Sequence, residues 1–366
     1  MENGKIMKLR MKRAIKSYLS MMLCIIFSIT AMSACDKKIY ITTGLKSNEI
    51  FKLSGKPCEL AEVLLVLMTE KSRYEEDLGA DIWSADSENT TMSLEQEIKQ
   101  KVKMDMTELK TVEKFADSKE VKLSEEELEK LSSAADEFMN SIDENTKSAL
   151  NVTKENVESL YTSFYKATKV YNMIADDNAI EISDEEARVI EVMYIFVATC
   201  NFDTDGNKIE YTEEQMAEAE AKVENIKALI ETGNDFSVVA NEYSENDTII
   251  GTYARGETVQ EFEEVAFNMQ SGETSKEIKT DKGYYFIYCK SDYLVNETNA
   301  KKIEMEEKHK KEAYEALFTP FKSEQTFEFN DDVWDEVKLE NYAGISTSSL
   351  YDIYNKWMEV KTAKSF

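Results

Sequence analysis

The chain alternates between two rhythms of apolar and polar positions, and each predicts its own kind of element. In "EIFKLSGKPCELAEVLLVLM" (49–68) two short apolar stretches flank Ser54–Gly55, and apolar residues then recur every three to four positions. That order predicts strand, turn, strand, then a helix carrying Leu60, Val63, Leu64 and Leu67 on one face. Three more helices follow, each behind a start signal. Ser93 with Gln96 opens a stripe of Ile98, Val102, Met106 and Leu109. Ser124 with Glu127 forms a capping box ahead of Leu128, Leu131, Ala135, Phe138 and Ile142. Thr153 opens the last, with Val157, Leu160, Phe164 and Tyr171 on its inner side. None of these stripes is broad enough to stand alone, so the helices should pack together.

From about residue 184 the rhythm changes. "VIEVMYIFV" (189–197) reads as a strand rich in β-branched and aromatic residues. Thr212 opens a long helix that Gly233 ends, "DFSVVANEYS" forms a second, and "GTYARGETVQEFEEVAF" (251–267) passes from a strand through Arg255–Gly256 into a third. A final strand pair lies in "EIKTDKGYYFIYCK". Such an order within about a hundred residues predicts one compact α+β domain. Residues 299–319 are again helical, up to Pro320, and Trp334, Tyr351, Tyr354 and Trp357 mark the tail as packed.

Charge narrows the possible partners. The 366 residues hold 72 acidic against 44 basic groups, a formal net charge of −28. Nucleic-acid affinity comes from Lys and Arg neutralising phosphates, so nucleic acid is not an expected partner. The N-terminus is more specific: a basic start, an apolar run too short for a membrane span, and "MSAC" at 32–35. This resembles a bacterial lipobox, with Met32 where Leu is usual, and implies cleavage before Cys35 and lipidation of its thiol. One lipidated residue would tether the protein at an extracytoplasmic membrane face.

Candidate metal and hydrolase chemistry falls away. Cys58, Cys200 and Cys289 have no metal-like spacing, no CxxC occurs, and His309 is the only histidine, which argues against zinc and against a Ser-His-Asp triad. "DTDGNKIEYTEE" (203–214) sets Asp203, Asp205, Asn207 and Glu214 at calcium-loop spacing. Lys208 stands where the sharp turn of such a loop needs Gly, so a polar turn is the expectation. No metal and no cofactor are predicted.

The stretch "DFSVVANEYSEN…GTYARGETVQEFEEVAFNMQSGETSKEIKTDKGYYFI" resembles the parvulin domain of peptidyl-prolyl isomerases. Phe236, Ala240, Tyr243, Ser244, Gly251, Arg255, Gly256, Phe262, Glu263, Ala266, Phe267, Thr280, Gly283 and Tyr284 fall in step with the family's pattern. With the signal segment and the helical regions, the layout is similar to PrsA-type foldase lipoproteins and SurA-type chaperones. The resemblance is sharp only in the parvulin stretch.

It implies an α+β protein: a helical, chaperone-like N-terminal lobe with an inserted parvulin domain, a four-stranded antiparallel sheet plus helices. The implied division is a signal peptide at 1–34, a tether at 35–48, the helical domain at 49–183, the parvulin domain at 184–293 and a C-terminal helical segment at 294–366 that packs on the N-terminal lobe. The implied activity is cis–trans isomerisation of X-Pro bonds in unfolded or newly secreted polypeptides. The alternative is a holding chaperone with a degenerate parvulin fold. Phe262 and, less directly, Phe267 would line the proline pocket, with Ile250 and Thr258 at the family's other apolar positions. The family's two facing histidines align with Tyr194 and Tyr285, its Cys or Asp with Asn246, and its network threonine with Thr280. Placing Tyr194 and Tyr285 side by side sets Cys200 and Cys289 at opposite ends of their strands, which argues against a disulfide.

Overall fold

The computed structural model describes residues 44–84 and 92–359. The signal segment and Cys35 lie outside them. The chain divides into two compact units: residues up to Asn178 together with those from Lys311, and Ala179–Lys310.

In the first unit β1 (Glu49–Leu53) and β2 (Lys56–Glu59) form an antiparallel hairpin. Its two-residue turn has positive φ at both Ser54 and Gly55, the conformation whose twist matches the strands. Helix α1 (Leu60–Leu78) departs from the one-faced helix expected: every residue from Ala61 to Thr69 is buried. Its polar positions are satisfied inside. Thr69 and Ser72 donate to the carbonyls of Leu65 and Met68, and Glu62 pairs with Lys110 at 3.1 Å.

Helix α2 (Leu94–Ser118), α3 (Glu125–Ser141) and α5 (Lys154–Asp177) each begin with a capping box, at Ser93–Gln96, Ser124–Glu127 and Thr153–Asn156. The short α4 (Glu144–Leu150), capped by Asp143, has no counterpart among the predicted elements. Leu128 stays exposed, because the packed stripe of α3 runs through Leu131, Ala134, Ala135 and Phe138. Replacing Ser124 by Ala leaves the Glu127 amide of α3 unpaired and should cost the unit about 1 kcal/mol. Urea unfolding followed by Trp fluorescence reads this unit alone, because the chain's three tryptophans, Trp83, Trp334 and Trp357, all belong to it.

The second unit holds β3 (Val189–Ala198), the hairpin β4 (Cys200–Phe202) and β5 (Lys208–Glu210), α6 (Glu213–Glu231), α7 (Phe236–Tyr243), β6 (Ile250–Ala254), α8 (Gln260–Ala266), β7 (Ile278–Lys279) and β8 (Gly283–Ser291). The antiparallel sheet has the order β6-β3-β8-β7, with β3 and β8 central. Ile195, Val197 and Phe286 meet α6 and α7 on one face, whereas Ile190, Val192, Tyr194 and Ile287 meet α8 on the other. Both faces are buried, so β3 reads as an almost unbroken apolar run. The β4–β5 turn is closed by Asp203, whose carboxylate accepts the amides of Asp205 and Asn207 at 3.0 and 2.8 Å. Those oxygens are therefore engaged within the turn. Gly233, at φ +84°, caps α6 as its sequence position implies.

The last helix of this stretch, α9 (Val295–Ser323), runs on through Pro320, where the sequence implies a stop. Proline so close to a helix end removes a single hydrogen bond, a smaller loss than in mid-helix. From Lys311 onward the chain belongs to the first unit. There β9 (Phe327–Phe329) pairs antiparallel with β1, followed by α10 (Asp331–Glu336) and α11 (Leu350–Met358). Trp334, Tyr351 and Tyr354 are buried and Trp357 is half-buried; the Tyr161 hydroxyl donates to the Leu350 carbonyl at 2.7 Å.

Candidate functional site

On the α8 side of the second unit's sheet, strand register decides which side chains meet. Tyr194 stands opposite Ile287, and Tyr285 opposite Phe196. The two tyrosines are thus diagonal neighbours on one face, with ring centroids 6.1 Å apart. Helix α8 sets Phe262 among them. Its ring lies edge-on to Tyr194 at 6.0 Å, to Tyr253 at 5.7 Å and to Tyr285 at 5.3 Å.

The turn before α8 is held from both sides. Gly256 takes φ +79°, and its amide donates to the Glu263 carboxylate at 2.6 Å. The Ala254 amide donates to Glu257 at 2.9 Å, and Lys301 pairs with Glu257 at 3.0 Å. Arg255 pairs with Glu185 and lies 4.6 Å over the Phe267 ring.

Between these elements opens a cavity of about 340 Å³, lined by Tyr194, Asn246, Tyr253, Glu257, Thr258, Val259, Phe262 and Tyr285. Tyr194, Asn246, Thr258, Phe262 and Tyr285 are brought together, as their sequence positions imply. The Thr258 hydroxyl is shut off from solvent without a hydrogen-bond partner among the described residues. Asn246 reaches Tyr194 only at 3.5 Å, a long contact for a hydrogen bond. It is positioned by a loop stitched to β3: Ser244 accepts the Phe196 amide, and the Tyr194 amide donates to Ile249.

Three residues named from the sequence lie elsewhere. Phe267 is buried beside the site but outside its lining, its ring covered by Arg255 and by Arg188 at 5.3 Å. Ile250 is 39% exposed, because strand alternation turns it away from the face that Gly251 and Tyr253 share. Thr280 closes the β7–β8 turn, its hydroxyl donating to the Gly283 carbonyl at 2.9 Å. The lining residues missed are Glu257, Val259 and, above all, Tyr253. The signal for Tyr253 was present, since it stands where the parvulin pattern has Phe, and its register with Ile190 places it on the Tyr194 face.

Electrostatically the site is quiet near neutrality. Burial, followed by interaction with Tyr194, pushes the Tyr253 phenol well up, and burial and then Tyr194 raise that of Tyr285. Glu257 is the only charged lining residue, and the Ala254 amide followed by Lys301 holds it below the usual carboxylate range. Among the described residues no cluster of His, Cys, Asp or Glu could hold a metal. Cys58, Cys200 and Cys289 are free thiols. What the site offers is an apolar floor beneath neutral hydrogen-bonding groups.

Residues 202–291 match the rotamase family, the PPIC-type PPIASE domain. This segment carries a PPIC-type domain. The match starts beyond β3, so Tyr194 precedes it although β3 is central in the same sheet. A foldase protein PrsA of Halalkalibacterium halodurans is 28% identical over 212 residues, covering 54% of this chain and 57% of the relative. The chain therefore spans little more than half of that relative's length. A foldase protein PrsA of Caldanaerobacter subterraneus subsp. tengcongensis is 25% identical over 286 residues, 74% of this chain and 81% of the relative. The crystal structure of the peptidylprolyl isomerase PrsA from Bacillus cereus is 17% identical, covers 74% of this chain and 97% of that one, and gives a TM-score of 0.33.

Proposed function

We propose that this protein is a foldase that isomerises X-Pro bonds in polypeptides folding outside the cytoplasm. The observation that carries the proposal is the cavity in which Phe262 lies edge-on to Tyr194, Tyr253 and Tyr285. The PPIC-type match and the two relatives named as foldases support it.

The physics of the reaction suits such a site. Amide resonance sets a rotation barrier of about 18–20 kcal/mol, and uncatalysed X-Pro exchange takes tens to hundreds of seconds. No bond breaks. The protein has only to favour the twisted amide, whose nitrogen is pyramidal and whose carbonyl has lost conjugation. Phe262, Val259 and Thr258 would seat the proline ring and desolvate the bond. Tyr194, Tyr285 and Asn246 would supply hydrogen bonds to the twisted form. Thr280 would act at one remove, by holding the turn that leads into Tyr285. Lowering the barrier by about 4 kcal/mol would give roughly a thousandfold acceleration.

The localisation rests on sequence: the basic and apolar start and Cys35 support export and a lipid anchor at the cell membrane. No helix among the described residues is long and apolar enough to cross a membrane. One observation favours a second reading, a holding chaperone: both family histidine positions carry tyrosine.

Proline-limited refolding of a denatured protein separates the two. The proposal requires the slow phase to accelerate with added protein; slow refolding left unaltered alongside suppressed aggregation would favour holding alone. The acceleration should also be level from about pH 6 to 9, because Tyr253 and Tyr285 are raised above the ordinary phenol value and Glu257 is held below the ordinary carboxylate value. Tyr253 and Tyr285 are raised, so their neutral forms are favoured by the fold. Their contribution to stability is complete below about pH 10, the phenol's ordinary value, and declines as pH rises beyond it. A pH–rate profile and an alkaline unfolding curve check both statements.

A further inference from the structure

We infer that the Tyr253 hydroxyl, folded back over Gly251 in the cavity that Tyr194 also lines, is a hydrogen-bond donor to the substrate amide. This rests on the isomerase reading of the same cavity, and it adds a hydroxyl where the family pattern has a Phe and the aligned histidine positions supply none.

The geometry begins with the strand. Tyr253 is paired with Ile190, Gly251 with Val192, and the Tyr194 amide bonds to the Ile249 carbonyl. A side chain at 253 standing straight up from β6 would end level with Ile190. The ring instead lies back along the strand: a Cβ added at Gly251 would meet the Tyr253 Cζ and hydroxyl oxygen at 2.4 Å. No heavier residue at 251 leaves room for that pose. Leaning over by two residues carries the hydroxyl from the level of Ile190 toward that of Tyr194, and both tyrosines line the cavity there.

Donor counting then sets the chemistry. Each phenol carries one hydroxyl hydrogen that it can donate. Asn246 approaches the Tyr194 oxygen as a donor, so it uses none. Tyr253 lines the cavity beside Tyr194, so its hydroxyl hydrogen is open to a bound peptide. Because burial favours the neutral form of Tyr253, that hydrogen is retained throughout the neutral range. Twisting the amide concentrates charge on its nitrogen lone pair, so a fixed donor at this place is stronger for the twisted bond than for the planar one.

The test uses the full chain and a proline tetrapeptide, with exchange rates read by NMR. Tyr253→Phe keeps the ring and removes only the hydroxyl; kcat/KM should fall by about ten- to a hundredfold with KM little altered. Gly251→Ala should reproduce that loss by displacing the ring, since only a movable side chain opposes the added methyl. Tyr194→Phe with Tyr253→Phe should lose less than the two single losses combined, because both hydroxyls would serve the same twisted amide. A merely structural Tyr253 would give additive losses or shift stability instead of rate. Wild-type turnover with Tyr253→Phe unimpaired overturns this inference alone; a wild type that accelerates nothing overturns the isomerase reading and the inference with it.

Discussion

Truncating Phe262 to Ala is expected to reduce prolyl isomerisation by at least about a hundredfold and to destabilise the second unit by about 3–5 kcal/mol. Both effects come from one position. Phe262 is 4% exposed, packs with Ala266, Phe267 and Ile287, and forms the floor against which three tyrosine rings stand edge-on. Alanine would merge the floor with the cavity above it, so proline would lose its apolar seat and the tyrosines their support. Such a loss approaches the whole stability of many small domains. Phe262→Leu separates the contributions, since it keeps most of the buried volume without the ring edges. It should leave the unit folded, judged by near-ultraviolet circular dichroism, while kcat/KM still falls. Full activity in a folded Phe262→Leu protein would show that an aromatic floor is not required.

Gly283→Ala should be comparably severe, and for a backbone reason. Gly283 begins β8 at φ +156° opposite Ala198, and an added Cβ would lie 2.1 Å from the Val197 carbonyl oxygen and 2.9 Å from the Ala198 Cα. Those are main-chain atoms of the neighbouring central strand, so nothing flexible can move aside. Relief requires parting β3 from β8 at the end next to the Thr280 turn. A loss above about 4 kcal/mol is expected, in the class reserved for cores and special backbone positions. Gly256→Ala is the control: φ is also positive, at +79°, but nothing lies within 4 Å of the added atom. That change should cost only about 1–2 kcal/mol. Amide exchange in β3 and β8 measures the difference, with the tryptophan signal of the first unit as the internal reference. Equal losses at the two glycines would contradict the steric account.

The features legible in the sequence are those whose causes are local. Ser93, Ser124, Thr153 and Thr212 each bond an amide three residues away, so their capping boxes can be read within a window of four. What was hidden depends on partners distant along the chain. Helix α1 reads as amphipathic, yet its polar side is buried partly against the returning C-terminal segment, where Thr69 meets Thr347. Strand β9 is three residues long and exists because it pairs with Phe51–Leu53, which no local pattern reveals. In the site, Phe262, Tyr194 and Tyr285 could be placed from the motif. Ile250 and Tyr253 exchange importance because one residue of strand parity decides which of them faces the cavity. Phe267 looks like its neighbour Phe262 in sequence; two arginines over its ring distinguish it in space.

The claim everything else depends on is that a pocket without histidine turns a proline peptide bond. Two-dimensional exchange NMR on an X-Pro tetrapeptide, with and without catalytic amounts of the intact chain, measures that rotation with no coupling protease. The account predicts cis–trans exchange accelerated in proportion to protein concentration and insensitive to pH between about 6 and 9. Exchange no faster than in buffer, at protein concentrations that still keep an unfolded client from aggregating, would contradict it.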